Sequence, residues 1–148
     1  MTIKQTLEWF KAAIPAPDNR TLSVQAGCHL EEVAEMLEAV TVTGADDGTP
    51  GTAFDALHAV GSRLKTGEAC IECVDRTELL DSLCDQIVTA VGIAHMMGMD
   101  IDGALAEVNR ANFSKFENGA PVFLEGGKIG KGADYLAPDL SRFVGGDV

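Results

Sequence analysis

The stretch Asp75–Gly98, DRTELLDSLCDQIVTAVGIAHMMG, decides the fold, because it reads as one long helix. Leu80, Leu83, Cys84, Ile87, Val91 and Ala94 recur at three- and four-residue steps and make one apolar stripe. Glu78, Asp81 and Asp85 recur at the same steps, so at about 100° per residue they share a different face. Like charges at these spacings repel by about 0.2–0.5 kcal/mol per pair. No lysine or arginine stands between Arg76 and Arg110 to offset them. The helix therefore carries an acidic stripe that either water or a cation must cover, and the rest of the chain is expected to pack around it.

Working outward, 148 residues suit one domain with a proper core. A composition 46% hydrophobic but only 5% aromatic points to an aliphatic interior, which suits helices better than a β-sandwich. A net charge of −12 argues against nucleic-acid binding, which needs a basic surface. No apolar run reaches the roughly 18 residues of a membrane span, so no membrane partner is expected. The amphipathic start, MTIKQTLEWFKAAIP, does not read as a signal peptide, and a cytoplasmic location is expected. Cys70-Ile-Glu-Cys73 has the spacing of half a zinc site, but no second Cys/His pair follows. Cys28 and Cys84 fall inside helical patterns, where a small buried hydrophobe fits, so four reduced thiols are expected.

Taken in order, a first helix spans Ile3–Ile14, with Leu7, Phe10 and Ile14 on one side and Pro15 and Pro17 ending it. A second covers Gly27–Thr43, with Leu30, Val33, Ala34, Leu37 and Val40 inward and Glu31, Glu32, Glu35 and Glu38 opposite. No basic residue occurs from Thr21 through Ser62. After the turn-rich loop 44–51, a third helix capped by Thr52 runs to about Thr66, with Phe54, Leu57, Val60 and Leu64 inward and Gly67 at its end. Beyond Gly98, MDIDGALAEVNRANFSKF makes a fifth helix capped by Asp100 or Asp102. The expected architecture is thus an all-α bundle of about five helices in a single domain. Its core covers about 27–116, and a Gly/Pro-rich C-terminal stretch, an ordered arm or a flap, covers about 117–148.

The chemistry lies in the two acidic stripes. Mg²⁺ takes oxygen ligands and is usually held by a few carboxylates, substrate phosphates and water. Glu31, Glu32 and Glu35 form Glu-Glu-x-x-Glu, while Glu78 and Asp81, then Asp81 and Asp85, repeat at three and four residues. Packed antiparallel, the two helices would aim four or five carboxylates into one gap, room for two metals about 3.5–4 Å apart. For each acid taken singly, a solvated helix face is the simpler reading; the absence of basic partners over both stretches tilts the balance. A di-iron bundle needs Glu-x-x-His pairs, and none of His29, His58 and His95 stands three residues after a glutamate.

EEVAE at 31–35 and ELLDSLCD at 78–85, the latter running into QIVTAVGIAHMMGMD, resemble the all-α nucleoside triphosphate pyrophosphohydrolases. That superfamily includes the MazG and phosphoribosyl-ATP pyrophosphohydrolase groups. The likeness is greatest to small phage and bacterial members, whose fifth helix also ends in a pattern like VNRANFSKF. It spans residues 27–140 or so. Measured back from Gly98, the second aspartate of the signature is Asp85, and Ser82 rather than glutamate precedes it by three. Either Asp81 supplies that carboxylate, or Glu78 and Asp81 are the match in a shifted register.

The resemblance implies Mg²⁺-dependent hydrolysis between the α- and β-phosphates of a nucleotide, giving a monophosphate and pyrophosphate. Mn²⁺ is a possible substitute, and no organic cofactor is implied. The expected metal ligands are Glu32, Glu35, Asp81 and Asp85, with Glu31 and Glu78 as second choices. Glu31, Glu32 and Glu35 are the catalytic candidates, a spare glutamate orienting or deprotonating the attacking water. Lys115, Lys128 and Lys131 are candidates to offset the triphosphate charge, and Asn109 and Asn112 to bind base or sugar. The glycine-rich GGKIGKG at 126–132 is not a Walker A loop, because Glu125 takes the place of its first glycine and Gly132 of its Ser/Thr. A homodimer or homotetramer is expected. The alternative of another class is a non-catalytic helical module that binds nucleotide or protein through a degenerate acidic site, and Ser82 is the feature that favours it.

Overall fold

A computed structural model describes residues 2–45 and 47–146; Asp46 of the expected turn-rich loop and residues 147–148 of the expected arm lie outside them. The chain is all-α. Its helices are α1 (Thr2–Ala13), α2 (Asn19–Glu38), α3 (Thr49–Thr66), α4 (Arg76–Met96) and α5 (Ile101–Phe113), followed by a 3-10 turn at Ser141–Phe143. Among the described residues there is no strand, only an isolated bridge between Glu117 and Ala120. No described helix is long and apolar enough to cross a membrane. The chain divides into two compact units that do not follow a core-then-arm order. One holds Met1–Pro15, Cys73–Val122 and Ile129–Val148, and the other Ala16–Glu72 and Phe123–Lys128.

The second of these units is an antiparallel hairpin of α2 and α3. Helix α2 starts at Asn19 rather than Gly27, because Asp18 and Thr21 form a capping box just after Pro17. The Thr21 N–H donates to Asp18 Oδ1 at 2.7 Å, and the Asp18 N–H donates to Thr21 Oγ1 at 2.8 Å. The Thr21 N–H, and after it the Thr21 hydroxyl, which donates to the same Oδ1 at 2.9 Å, hold the Asp18 carboxyl below its ordinary pKa. The helix ends at Glu38, before the β-branched run Thr41-Val42-Thr43. Helix α3 begins at Thr49 with Pro50 in its first turn, so its cap is Gly48 at φ 81° and not Thr52. Gly67, at φ 87°, closes it as expected.

Two glycines set how closely the hairpin packs. A Cβ on Gly27 would lie 2.6 Å from the Gly61 carbonyl oxygen, and one on Gly61 would lie 2.8 Å from that of Gly27. At the open end, away from the connecting loop, the Arg20 guanidinium donates to the Leu64 and Gly126 carbonyls, both at 2.8 Å, and to that of Lys65. It thereby satisfies the last carbonyls of α3 and fastens the turn 123–128. Ser23, 1% exposed, donates to Asn19 O and accepts the Ile71 N–H, which holds the returning chain on α2.

The other unit is built on α1 and α5, and this corrects the expectation that α4 is the centre. The buried face of α1 is Thr2, Trp9 and Ala13; Leu7, expected inward, is half exposed. Trp9 Nε1 donates to the Asn112 carbonyl at 2.8 Å, and its ring lies against Phe10 and Phe116. Asn109, 3% exposed, donates to Thr2 O at 3.0 Å and accepts from Thr6 Oγ1 at 2.9 Å. Polar pairing therefore chooses the arc of α1 that turns inward.

Helix α4 itself obeys the sequence: Asp75 caps it through the Thr77 and Glu78 N–H groups, and Gly98 at φ 69° turns the chain into the Asp100 cap of α5. Within its unit it packs on α5 and not on α1. Ala94 is its buried residue, while Leu80 is 64% exposed and Ile87 48%.

The chain beyond α5 is strapped to that helix. Glu107, its side chain 12% exposed, accepts two hydrogen bonds from Arg110 at 2.7 and 2.9 Å and one from the Asp139 N–H at 3.1 Å. Arg110 also donates to Ala137 O, and Gly132 N–H to Lys115 O. The Arg110 bonds first, then the Asp139 N–H, lower the Glu107 carboxyl from its ordinary 4.5 to about 2. A depressed carboxylate stabilises the fold above its unfolded pKa, and that contribution is lost as pH falls through the folded value. Urea midpoints measured from pH 4.5 down to about 2 are therefore expected to fall more steeply for the native chain than for Glu107→Gln. Parallel curves would remove Glu107 as the acid-sensitive fastener of the strap.

Candidate functional site

The acids of α2 divide by environment. The Glu31 side chain is 14% exposed and pairs with Lys65 of α3. Gly61 leaves room for this, since a Cβ there would sit 3.2 Å from Glu31 Cγ. The absence of a basic partner along the α2 sequence is thus made good from α3, a contact local spacing could not disclose. Glu32, Glu35 and Glu38 are exposed, each about one turn beyond the last. Cys28, on the same helix, is half-buried, and burial pushes its thiol pKa up against the opposing pull of Lys128 and Lys65. Cys70, Cys73 and Cys84 are exposed free thiols, so Cys84 is not the small buried residue expected.

On α4, Glu78, Asp81 and Asp85 are all exposed. Glu31, Glu32 and Glu35 belong to the hairpin unit and these three to the α1–α5 unit. The antiparallel partner of α2 is α3. Among the described residues, no group of three or more His, Cys, Asp or Glu side chains is placed to hold a metal ion.

The other expected site residues separate as well. Both amide atoms of Asn109 are engaged by α1, which is packing rather than substrate contact. Asn112 is half-buried. Lys115 Nζ lies 5.7 Å from the Trp9 ring centre, and Lys131 Nζ 4.9 Å from that of Tyr135. Both belong to the α1–α5 unit, whereas Lys128 is exposed in the turn of the hairpin unit. His95 is exposed, and His58 stacks on Phe54 at 5.7 Å and 24°.

At the loop end of the hairpin the sequence reading missed a cavity of about 230 Å³, lined by Leu37, Glu38, Pro50, Gly51, Phe54 and Asp55. Phe54 reads as core from its spacing, and the loop hides the fact that Glu38 returns beside Asp55. An aromatic at i with His at i+4, next to an acid, was the local signal.

Fold and surface together define an all-α chain with acidic helices, made of a helical hairpin and a second helical unit. Compared with models of protein families, with curated proteins and with solved structures, the chain matches none.

Proposed function

We propose that this chain is a cytoplasmic, Mg²⁺-dependent nucleotide pyrophosphohydrolase that cleaves between the α- and β-phosphates of a nucleoside triphosphate or related nucleotide. The observation that carries this reading is the division of the Glu-Glu-x-x-Glu motif. Glu31 is held by Lys65, while Glu32 and Glu35 stand open one turn apart on a helix. An exposed i, i+3 pair of oxygen ligands suits Mg²⁺, which needs only one or two carboxylates when phosphates and water complete its shell. Asp81 and Asp85, exposed at i, i+4 on α4, offer a second pair of the same kind.

When bound, Mg²⁺ supplies neutralisation of the phosphate charge. Glu32 and Glu35 hold it, and Glu31, its side chain fixed by Lys65, orients the attacking water by hydrogen bonding. Lys128, which belongs to the same unit as these glutamates, offsets part of the remaining charge of the triphosphate. The uncovered apolar stripe of α4 supports a homodimer or homotetramer. Covering Leu80, Leu83 and Ile87 would stabilise the assembly by about 1.5–3 kcal/mol for each side chain fully buried.

The decisive experiment is a pyrophosphate-release screen over common and damaged nucleotides with Mg²⁺, Mn²⁺ and EDTA, alongside light scattering of the native chain and Ile87→Asp. Metal-dependent release, with an oligomer that Ile87→Asp dissociates, is the expected result. Nucleotide binding without release in any metal would instead establish the non-catalytic module, which Ser82 three residues before Asp85 favours. A native chain that scatters as a monomer would remove the oligomer.

A further inference from the structure

The cavity at the loop end of the α2–α3 hairpin has walls that together specify a ligand. Its volume of about 230 Å³ falls below the ~300–1,000 Å³ usual for drug-sized ligands, and suits one flat heterocycle. Leu37 and Pro50 supply apolar walls, and Phe54 an aromatic ring whose plane is steadied by the stacked His58. Two acidic residues, Glu38 and Asp55, complete the lining. An ionised carboxylate only accepts hydrogen bonds. It attracts an N–H edge and repels a carbonyl oxygen in the same place.

Position along α2 connects the cavity to the acids above. Glu38 lies seven residues beyond Glu31, on the same face of α2 and about 10 Å along the axis at 1.5 Å per residue. That is roughly the reach of a nucleoside from its α-phosphate to the far edge of its base. Glu31 and Lys65 occupy the phosphate end of this line, and Phe54 the other.

We propose that this cavity is a nucleobase pocket that selects bases carrying an exocyclic amino group (cytosine, adenine or guanine) over uracil and thymine. Phe54 stacks on the base, and Glu38 and Asp55 accept its amino hydrogens. This assignment rests on the nucleotide reading above, so its test is binding of nucleosides, which carry no phosphate to hydrolyse. Gly51 offers a clean blocking site: a Cβ there meets nothing within 4 Å, and the residue lies in the first turns of α3. Gly51→Leu should fill the cavity and keep the fold, which circular dichroism verifies.

Cytidine, adenosine, guanosine, uridine and thymidine are titrated into the ¹⁵N-labelled full chain, following the amide resonances of Gly51, Phe54 and Asp55. The expected result is that the amino-bearing nucleosides shift these resonances with Kd about tenfold below that of uridine, as one hydrogen bond gained or opposed would give. Gly51→Leu should abolish the shifts. Glu38→Gln combined with Asp55→Asn should level the preference, because amides both donate and accept. Equal binding of cytidine and uridine, shifts elsewhere on the chain, or shifts that persist in Gly51→Leu would overturn the pocket. Selective nucleoside binding without pyrophosphate release in the screen would keep the pocket and defeat the hydrolase reading.

Discussion

Gly27→Val is expected to lower the melting temperature by about 6–12 °C, the shift that about 3 kcal/mol produces in a chain of this size. The reason is the reciprocal approach of two backbones. The added Cβ would sit 2.6 Å from Gly61 O, 2.9 Å from Lys65 Cγ and 3.2 Å from Leu64 Cβ. A lysine stem can rotate away, but a helix carbonyl cannot, so α2 and α3 must move apart. Parting them loosens the buried Leu64, the Arg20 bonds to the end of α3 and the Glu31–Lys65 pair at once. Gly51→Ala on the same hairpin is the control. Its Cβ meets open space, and exchanging glycine for alanine in a helix is expected to stabilise by up to about 1 kcal/mol. Thermal melts of both variants decide the matter. A Gly27→Val chain that melts within two or three degrees of the native protein would show that the helices do not depend on this crossing.

Glu35→Gln is expected to reduce pyrophosphate release by about 100-fold or more, because the amide keeps the shape of the side chain and removes its charge. The apparent affinity for Mg²⁺ should fall with it, whereas the metal-free melting temperature should hold or rise as repulsion from Glu32 and Glu38 is relieved. Native protein at a hundredfold excess of Mg²⁺ over its Kd gains about 2.7 kcal/mol, and the variant should gain much less. Asp85→Asn tests the α4 pair by the same two measurements. Glu8→Gln, in an exposed pair with Lys11, is the neutral comparison. A Glu35→Gln protein that releases pyrophosphate within threefold of the native rate would take this carboxylate out of the chemistry, however acidic its helix.

Local signals located most of the elements. The Asp75 cap and Gly98 bound α4 within two residues of the expected ends, and Gly67 and Asp100 end and begin their helices as anticipated. Where boundaries moved, a neighbouring signal was stronger: Asp18–Thr21 outweighed the apolar periodicity that starts near Gly27, and Pro50 outweighed Thr52. The candidate site was legible as residue types and spacing. Its environment was not, because nothing near Glu31 in sequence names Lys65, thirty-four residues on.

The sequence by itself determined that this is an all-α chain, where most of its helices lie, and that two of them are acidic on one face. Caps, glycine turns and 3.6-residue periodicity act over a few neighbouring residues, so they can be read without knowing the fold. Only the tertiary structure decided which faces are covered. It turned Thr2, Trp9 and Ala13 of α1 inward through the bonding needs of Asn109, and left Leu80 and Ile87 of α4 exposed. It also paired α2 with α3 through Gly27 and Gly61, bringing Glu38 beside Phe54 and Asp55. Those choices depend on shape and on hydrogen bonds between residues far apart in the chain, and an apolar stripe does not name the surface that will bury it.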